Sequence, residues 1–223
     1  MKKVIIYTTK DEVISLHLVN SIVTDPKFEN CKIDIKLSNP SFLRKIKILL
    51  VIIFFGSIKI FFKNLKNKIS LAEILNNNKN CKVVKNVIGE YDYGLSVYCS
   101  EKIQMQNFKI YNFHLGSLKN QRGSFIFFYK FIKNWNKISL TFHEISEKFD
   151  VGKIINEREL DLKEDCKATD IFFLYLNNKD FLIQSINKIS NFENKEHKNY
   201  DKLHLVPSMF KLLFLITNYF VKK

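Results

Sequence analysis

The sequence predicts an α/β fold with a mostly parallel central sheet, and three observations carry that expectation. Short β-branched runs recur along the chain, stretches of helical periodicity separate them, and 223 residues suffice for one sizeable core but hardly for two. Strands alternating with helices close a parallel sheet through crossover connections. The expected organisation is a single domain over residues 1–190, then a polar linker and an apolar C-terminal helix over residues 191–223.

Lys3 to Thr9 is β-branched and aromatic, a first strand, and Asp11 to Val23 follows with Val13, Ile14, Leu16, Leu18, Val19 and Ile22 at helical spacing. Cys31 to Leu37 alternates Ile33, Ile35 and Leu37 with polar residues, the pattern of a half-buried strand. Asn39-Pro40-Ser41 then turns the chain, with Ser41 placed to cap a helix. Phe42 to Lys66 reads as one helix, apolar on every side and flanked by Arg44, Lys45, Lys47, Lys59, Lys63 and Lys66. Its uncharged run, Ile48 to Ile58, falls well short of the ~18 residues a membrane span requires. That leaves a core or subunit-contact helix, or one lying on an anionic membrane.

Ile69 to Leu75 reads as a short helix, Asn76 to Asn80 as a loop, and Cys81 to Val87 and Tyr91 to Tyr98 as strands. Asn112 and His114 then stand two apart among Ile110, Tyr111, Phe113 and Leu115, a spacing that aims both side chains at one face of a strand. A loop from Gly116 to Gly123 and an apolar helix from Phe125 to Ile132 follow, so the pair sits where a strand ends, the place where open α/β sheets bind ligands. Lys137 to His143 is another strand, on which Thr141 and His143 share a face. The next loop delivers Asp150 and Gly152 before the apolar run Lys153 to Ile155. Arg158 to Leu162 closes the sheet, Ala168 to Ile189 is helical in its spacing, and Leu203 to Val221 ends the chain with Pro207 opening an apolar helix.

The net charge of +14 comes chiefly from lysine and favours anionic partners, although a solvated lysine surface accounts for much of it. Cys31, Cys81, Cys99 and Cys166 are scattered, with no Cys-x-x-Cys pair; this argues against zinc and for a reducing compartment. The first residues hold too short an apolar run for a signal peptide, so a cytoplasmic location is expected.

The ordered set Asn112-x-His114, a loop ending Arg122-Gly123, Thr141-x-His143, and Asp150-x-Gly152 before an apolar pair resembles the folate-dependent formyltransferases, over roughly Tyr91 to Ile155. The resemblance implies a Rossmann-like three-layer fold, with 10-formyltetrahydrofolate as co-substrate and no metal. It further implies Asn112, His114 and Asp150 as the catalytic set, and the strand end Tyr98-Cys99-Ser100, with Gly152, against the folate. Arg122 either steadies acceptor phosphates or caps its loop, and His143 either lines the acceptor side or supports the sheet. Lys119 stands where the family usually has proline, and Lys148 and Val151 replace small or polar loop residues. Chemically the set suits acyl transfer: an amine attacking a formyl carbon makes an oxyanion that Asn112 and His114 can donate to, while Asp150 orients the imidazole and moves the proton.

Among acceptors, the amine of a nucleotide-linked amino sugar is expected. The short tail counts against initiator tRNA, and the first strand lacks the glycine-rich turn of a glycinamide ribonucleotide site. The competing expectation is a non-catalytic scaffold or membrane-surface protein that presents residues 42–66 and 203–221 as an apolar face. A homodimer contact and a peripheral contact with an anionic membrane are both open for that face.

Overall fold

The computed structural model describes residues 1–10, 12–66, 69–189 and 203–221. Seven strands, β1 (Lys3–Thr9), β2 (Lys32–Ser38), β3 (Cys81–Val84), β4 (Tyr93–Val97), β5 (Ile110–Leu115), β6 (Lys137–Glu144) and β7 (Ile154–Asp161), form one sheet in the order β3-β2-β1-β4-β5-β6-β7. Pairing is parallel from β3 to β5, and the last two strands run antiparallel to their neighbours. The direction of winding reverses between β1 and β4. In such sheets the crevice beyond the strands' carboxyl ends, at that reversal, is the natural ligand site.

The helices are α1 (Val13–Val23), α2 (Phe42–Phe55), α3 (Ile58–Lys66), α4 (Leu71–Asn77), α5 (Ile126–Lys133), α6 (Ala168–Phe172), α7 (Leu174–Asn177), α8 (Lys179–Asn187) and α9 (Met209–Val221). Their inward side chains join one large core with the alternate strand residues Val4, Ile6, Ile33, Ile35, Leu95, Val97, Phe113 and Phe142. The opposite face of the sheet carries a small apolar cluster, Ile5, Tyr7, Tyr91 and Ile110, packed by residues such as Val87, Cys99, Ile103 and Phe108. The third layer is therefore coil, supplied chiefly by the β3–β4 and β4–β5 connections. Period-two alternation makes this division sharp, because each strand must give alternate residues to each side.

The single helix expected over Phe42 to Lys66 is two. Gly56 ends α2 in an extended conformation with its N–H on the Ile52 carbonyl, and a side chain there would meet that carbonyl at 2.7 Å. Ser57 then gives its N–H to Thr169 Oγ1 and opens α3. The expected Ser41 cap is present, accepting from the Arg44 N–H at 3.2 Å. Nor is α2 buried on all sides: Ile48, Val51, Ile52 and Phe55 face the core, whereas Phe42, Leu49, Ile53 and Phe54 remain exposed. The helix expected over Ala168 to Ile189 is divided into α6, α7 and α8, because Phe173 and Asn178 leave the helical region. The two short runs expected on either side of Asn156 are one strand, β7. The polar linker at residues 191–202 lies outside the described residues.

Candidate active site

β5 presents Asn112 and His114 to the coil-covered face, paired across the antiparallel ladder with His143 and Thr141 of β6. A buried polar stripe runs across this face: Ser96 stands beside Asn112 on β4, and His114, Thr141 and His143 are each at most 5% exposed. Burying such groups costs free energy unless each finds a hydrogen bond. The partners found here fix what each group is able to do.

The loop of residues 116–123 wraps around Gln121. Its carboxamide oxygen accepts from the N–H groups of Ser117 and Ser139, and its amide donates to the Lys137 carbonyl. The Gln121 carbonyl lies 3.0 Å from His114 Nε2. A carbonyl only accepts, so Nε2 carries the hydrogen, and Nδ1 is the nitrogen left to gain or lose a proton. Nδ1 faces Asp150 Oδ1 at 3.7 Å. His143 is held the other way round. Its Nδ1 donates to the Glu144 carbonyl at 3.0 Å, and its Nε2 lies 3.3 Å from the Asn112 amide nitrogen, which donates to it. Burial, opposed in part by Asp150, pushes the His143 pKa down to about 4. The ring is neutral near pH 7, so its 3.9 Å approach to Asp150 is no ion pair, and both of its nitrogens are engaged inside the protein.

Asp150 is placed by several bonds at once. Its backbone is left-handed (φ 48°), a conformation that costs of order 1 kcal/mol and needs surrounding structure to hold it. The Gly123 N–H donates to Oδ2 at 2.7 Å, and Arg122 donates to the carbonyls of Phe149 and Asp150 at 2.8 and 3.0 Å. Two glycines make the approach feasible. A side chain at Gly123 (φ 108°) would collide with the His204 carbonyl, and one at Gly152 (φ 150°) with the Glu144 carbonyl. Tyr98 and Phe125, which also line the cleft, are left-handed too, so three of the four non-glycine residues of positive φ among those described surround this site.

A cleft opens over these groups at the carboxyl ends of β4 and β5. Arg44, Tyr98, Phe125, Phe127, Phe172 and Tyr175 wall its helix side, and Glu101, Lys102, Ile103 and the segment from Ile145 to Phe149 wall its coil side. Tyr175 accepts the Leu115 N–H at 2.8 Å, closing the end of β5, and burial raises its phenol as it raises that of Tyr98. Of the expected residues, Asn112, His114, Asp150, His143, Tyr98 and Cys99 line this cleft. Ser100, Gly152 and Arg122 do not. Ser100 shares a 2.9 Å hydroxyl contact with Ser38, Gly152 hinges the loop against Glu144, and Arg122 clamps the Asp150 loop from behind. Arg122 reaches the Asp150 loop rather than its own, and His143 both lines the cleft and hydrogen-bonds Asn112. Arg44, Phe172 and Tyr175 were not expected in the cleft. A lone arginine in the first turn of an apolar helix was the one available signal.

No protein-family model and no curated protein matches the chain. Solved structures do. The sugar 3N-formyltransferase WlaRD, solved with dTDP and 5-N-formyl-THF, is 17% identical with a TM-score of 0.62, covering 92% of this chain and 69% of that one. An N-formyltransferase from Helicobacter canadensis, in complex with folinic acid and dTDP-3-aminofucose, is 19% identical with a TM-score of 0.63 over 92% of this chain and 71% of that one. A 4-N-formyltransferase from Francisella tularensis is 19% identical with a TM-score of 0.60 over 92% and 76%. At these identities the likeness is one of fold: this chain has the α/β architecture on which sugar N-formyltransferases are built.

Proposed function

We propose that the protein is an enzyme that transfers a formyl group from 10-formyltetrahydrofolate to the primary amine of a nucleotide-linked amino sugar. The observation that carries this reading is the meeting of Asn112, His114 and Asp150, from two separated parts of the chain, under one cleft at the sheet's carboxyl edge. The solved structures of similar fold support it, since WlaRD was solved with dTDP and 5-N-formyl-THF and the Helicobacter canadensis protein with folinic acid and dTDP-3-aminofucose.

The steps follow from the hydrogen bonds. The acceptor amine attacks the formyl carbon, a C–N bond forms, and the carbonyl oxygen takes up negative charge. The Asn112 amide, whose orientation His143 sets, and the protonated Nδ1 of His114 are the donors for that oxyanion. Each such donor is worth on the order of 3 kcal/mol in the transition state. Asp150 stabilises the imidazolium and takes the proton that the attacking amine sheds. Passed on to the folate nitrogen, that proton lets the old C–N bond break and releases tetrahydrofolate. At 3.7 Å from Nδ1 the Asp150 carboxylate acts on the ring through its charge, which leaves the Nδ1 hydrogen for the oxyanion. No step calls for a metal. The aromatic wall of Tyr98, Phe125 and Phe127 offers a stacking surface for a flat ring, and Arg44 and Lys102 give the cleft cations for an anionic substrate.

The experiment is to incubate the protein with 10-formyltetrahydrofolate and a panel of nucleotide amino sugars, reading the N-formyl sugar by mass spectrometry. A formylated sugar absent when His114→Ala replaces the native protein supports the reading. No product with any amino sugar, from protein that binds neither folinic acid nor dTDP by calorimetry, defeats it.

A further inference from the structure

The helical side of the molecule ends in an apolar surface that no described residue covers. α2 turns Phe42, Ile53 and Phe54 outward and α9 turns Phe210 and Phe214 outward, with exposure reaching 89% at Phe210 and 76% at Phe42. The two helices form one continuous patch, because the Phe220 ring lies 6.2 Å from that of Phe54 and 5.7 Å from that of Phe55. α3 continues it: no residue of α3 is buried, and Ile58, Phe62 and Leu65 are exposed on it. An apolar patch of this extent on a soluble fold marks a contact surface.

Charge decides which contact. From Phe42 to Ala72 the chain has no Asp or Glu, and from Leu203 to its last residue it again has none, whereas α2 and α3 carry Arg44, Lys45, Lys47, Lys59, Lys63 and Lys66. A second copy laid on the same patch by a two-fold axis would bring these like charges together, an arrangement that disfavours self-association. An anionic bilayer offers the reverse: phosphate charge for the basic rim and an acyl boundary for the rings. None of the described helices is long and apolar enough to cross a membrane, so the contact lies in the plane of the surface.

We propose that α2, α3 and α9 together dock the protein on the surface of an anionic phospholipid bilayer. The rings of Phe54, Phe62, Phe210 and Phe214 enter the headgroup boundary while Lys59 and Lys63 meet the phosphates. Buried Phe172 stands between the cleft and the apolar hollow formed by α2, α3 and α6. The docking proposal does not depend on the transfer reaction.

The test is cosedimentation of the full chain with vesicles of phosphatidylglycerol and phosphatidylcholine, beside vesicles of phosphatidylcholine alone. Binding at least about tenfold stronger to the anionic vesicles, and falling as salt rises, is the expected result. The pairs Phe210→Ser with Phe214→Ser and Lys59→Glu with Lys63→Glu should each lower the partition roughly tenfold, with thermal melting unchanged because all four side chains are exposed. No sedimentation with anionic vesicles, or unaltered sedimentation of both variants, overturns the proposal. A dimer in sedimentation velocity that the phenylalanine pair dissociates, without vesicle binding, assigns the patch to a second copy and overturns it equally. Tetrahydrofolate release assayed without vesicles reads the transfer reaction separately.

Discussion

Along β5 and β6 neighbouring residues enter opposite environments. Phe113 and Phe142 enter the helix-covered core, while Asn112, His114 and His143, one residue away, turn to the coil-covered face. On the first face stability comes from burial, at about 1.5–3 kcal/mol for each large apolar side chain. On the second Asn112, His114 and His143 are tied by specific hydrogen bonds, and a left-handed aspartate is held in place by Arg122 and Gly123. One sheet thus draws its stability from one side and holds the groups proposed for catalysis on the other. Substitutions one residue apart should then show opposite signatures.

The largest effect belongs to the apolar face. Phe142→Ala, at a side chain with no exposure, should lower unfolding free energy by about 3–5 kcal/mol in a urea titration. Asp150→Asn should do the opposite. It keeps a residue that tolerates the left-handed backbone, so stability should move by less than about 1 kcal/mol, while kcat/KM for formyl transfer should fall about a hundredfold or more. Large losses of both properties in both variants would break the division between the faces.

A smaller effect comes from pH. His143 has its pKa depressed to about 4, below the ordinary 6.5, so between those values the unfolded chain binds more protons than the folded one. Stability should therefore decline as pH falls from about 6.5 towards 4, by up to about 3 kcal/mol from this group. His143→Gln, which cannot titrate, should flatten that slope in denaturation curves collected across the range. The smallest effect is expected at Arg122→Met, which removes the two bonds to the Asp150 loop: about 1 kcal/mol of stability and roughly a tenfold loss of kcat.

Much of this was legible in the sequence, for identifiable reasons. Strand periodicity placed Asn112 and His114 on one face, and an ordered motif set added Asp150, because neither depends on knowing how distant elements pack. The break at Gly56 was hidden inside a run whose apolar residues satisfy one long helix as well as two short ones. The walls of the cleft were out of reach for a different reason. Arg44, Phe172 and Tyr175 come from α2, α6 and α7, and only the packed topology brings those helices to the end of β5. The engagement of both His143 nitrogens was likewise invisible, since Glu144 binds through its backbone and leaves no mark in the sequence.

In the proposed reaction the polar face carries out one-carbon transfer through the pair His114 and Asp150. The direct measurement is the initial rate of tetrahydrofolate release from 10-formyltetrahydrofolate in the presence of a dTDP-amino sugar, compared between the native chain and Asp150→Asn. The native chain should release tetrahydrofolate steadily, and the variant at a rate at least about a hundredfold lower with folding unchanged. Equal rates from the two proteins would contradict it.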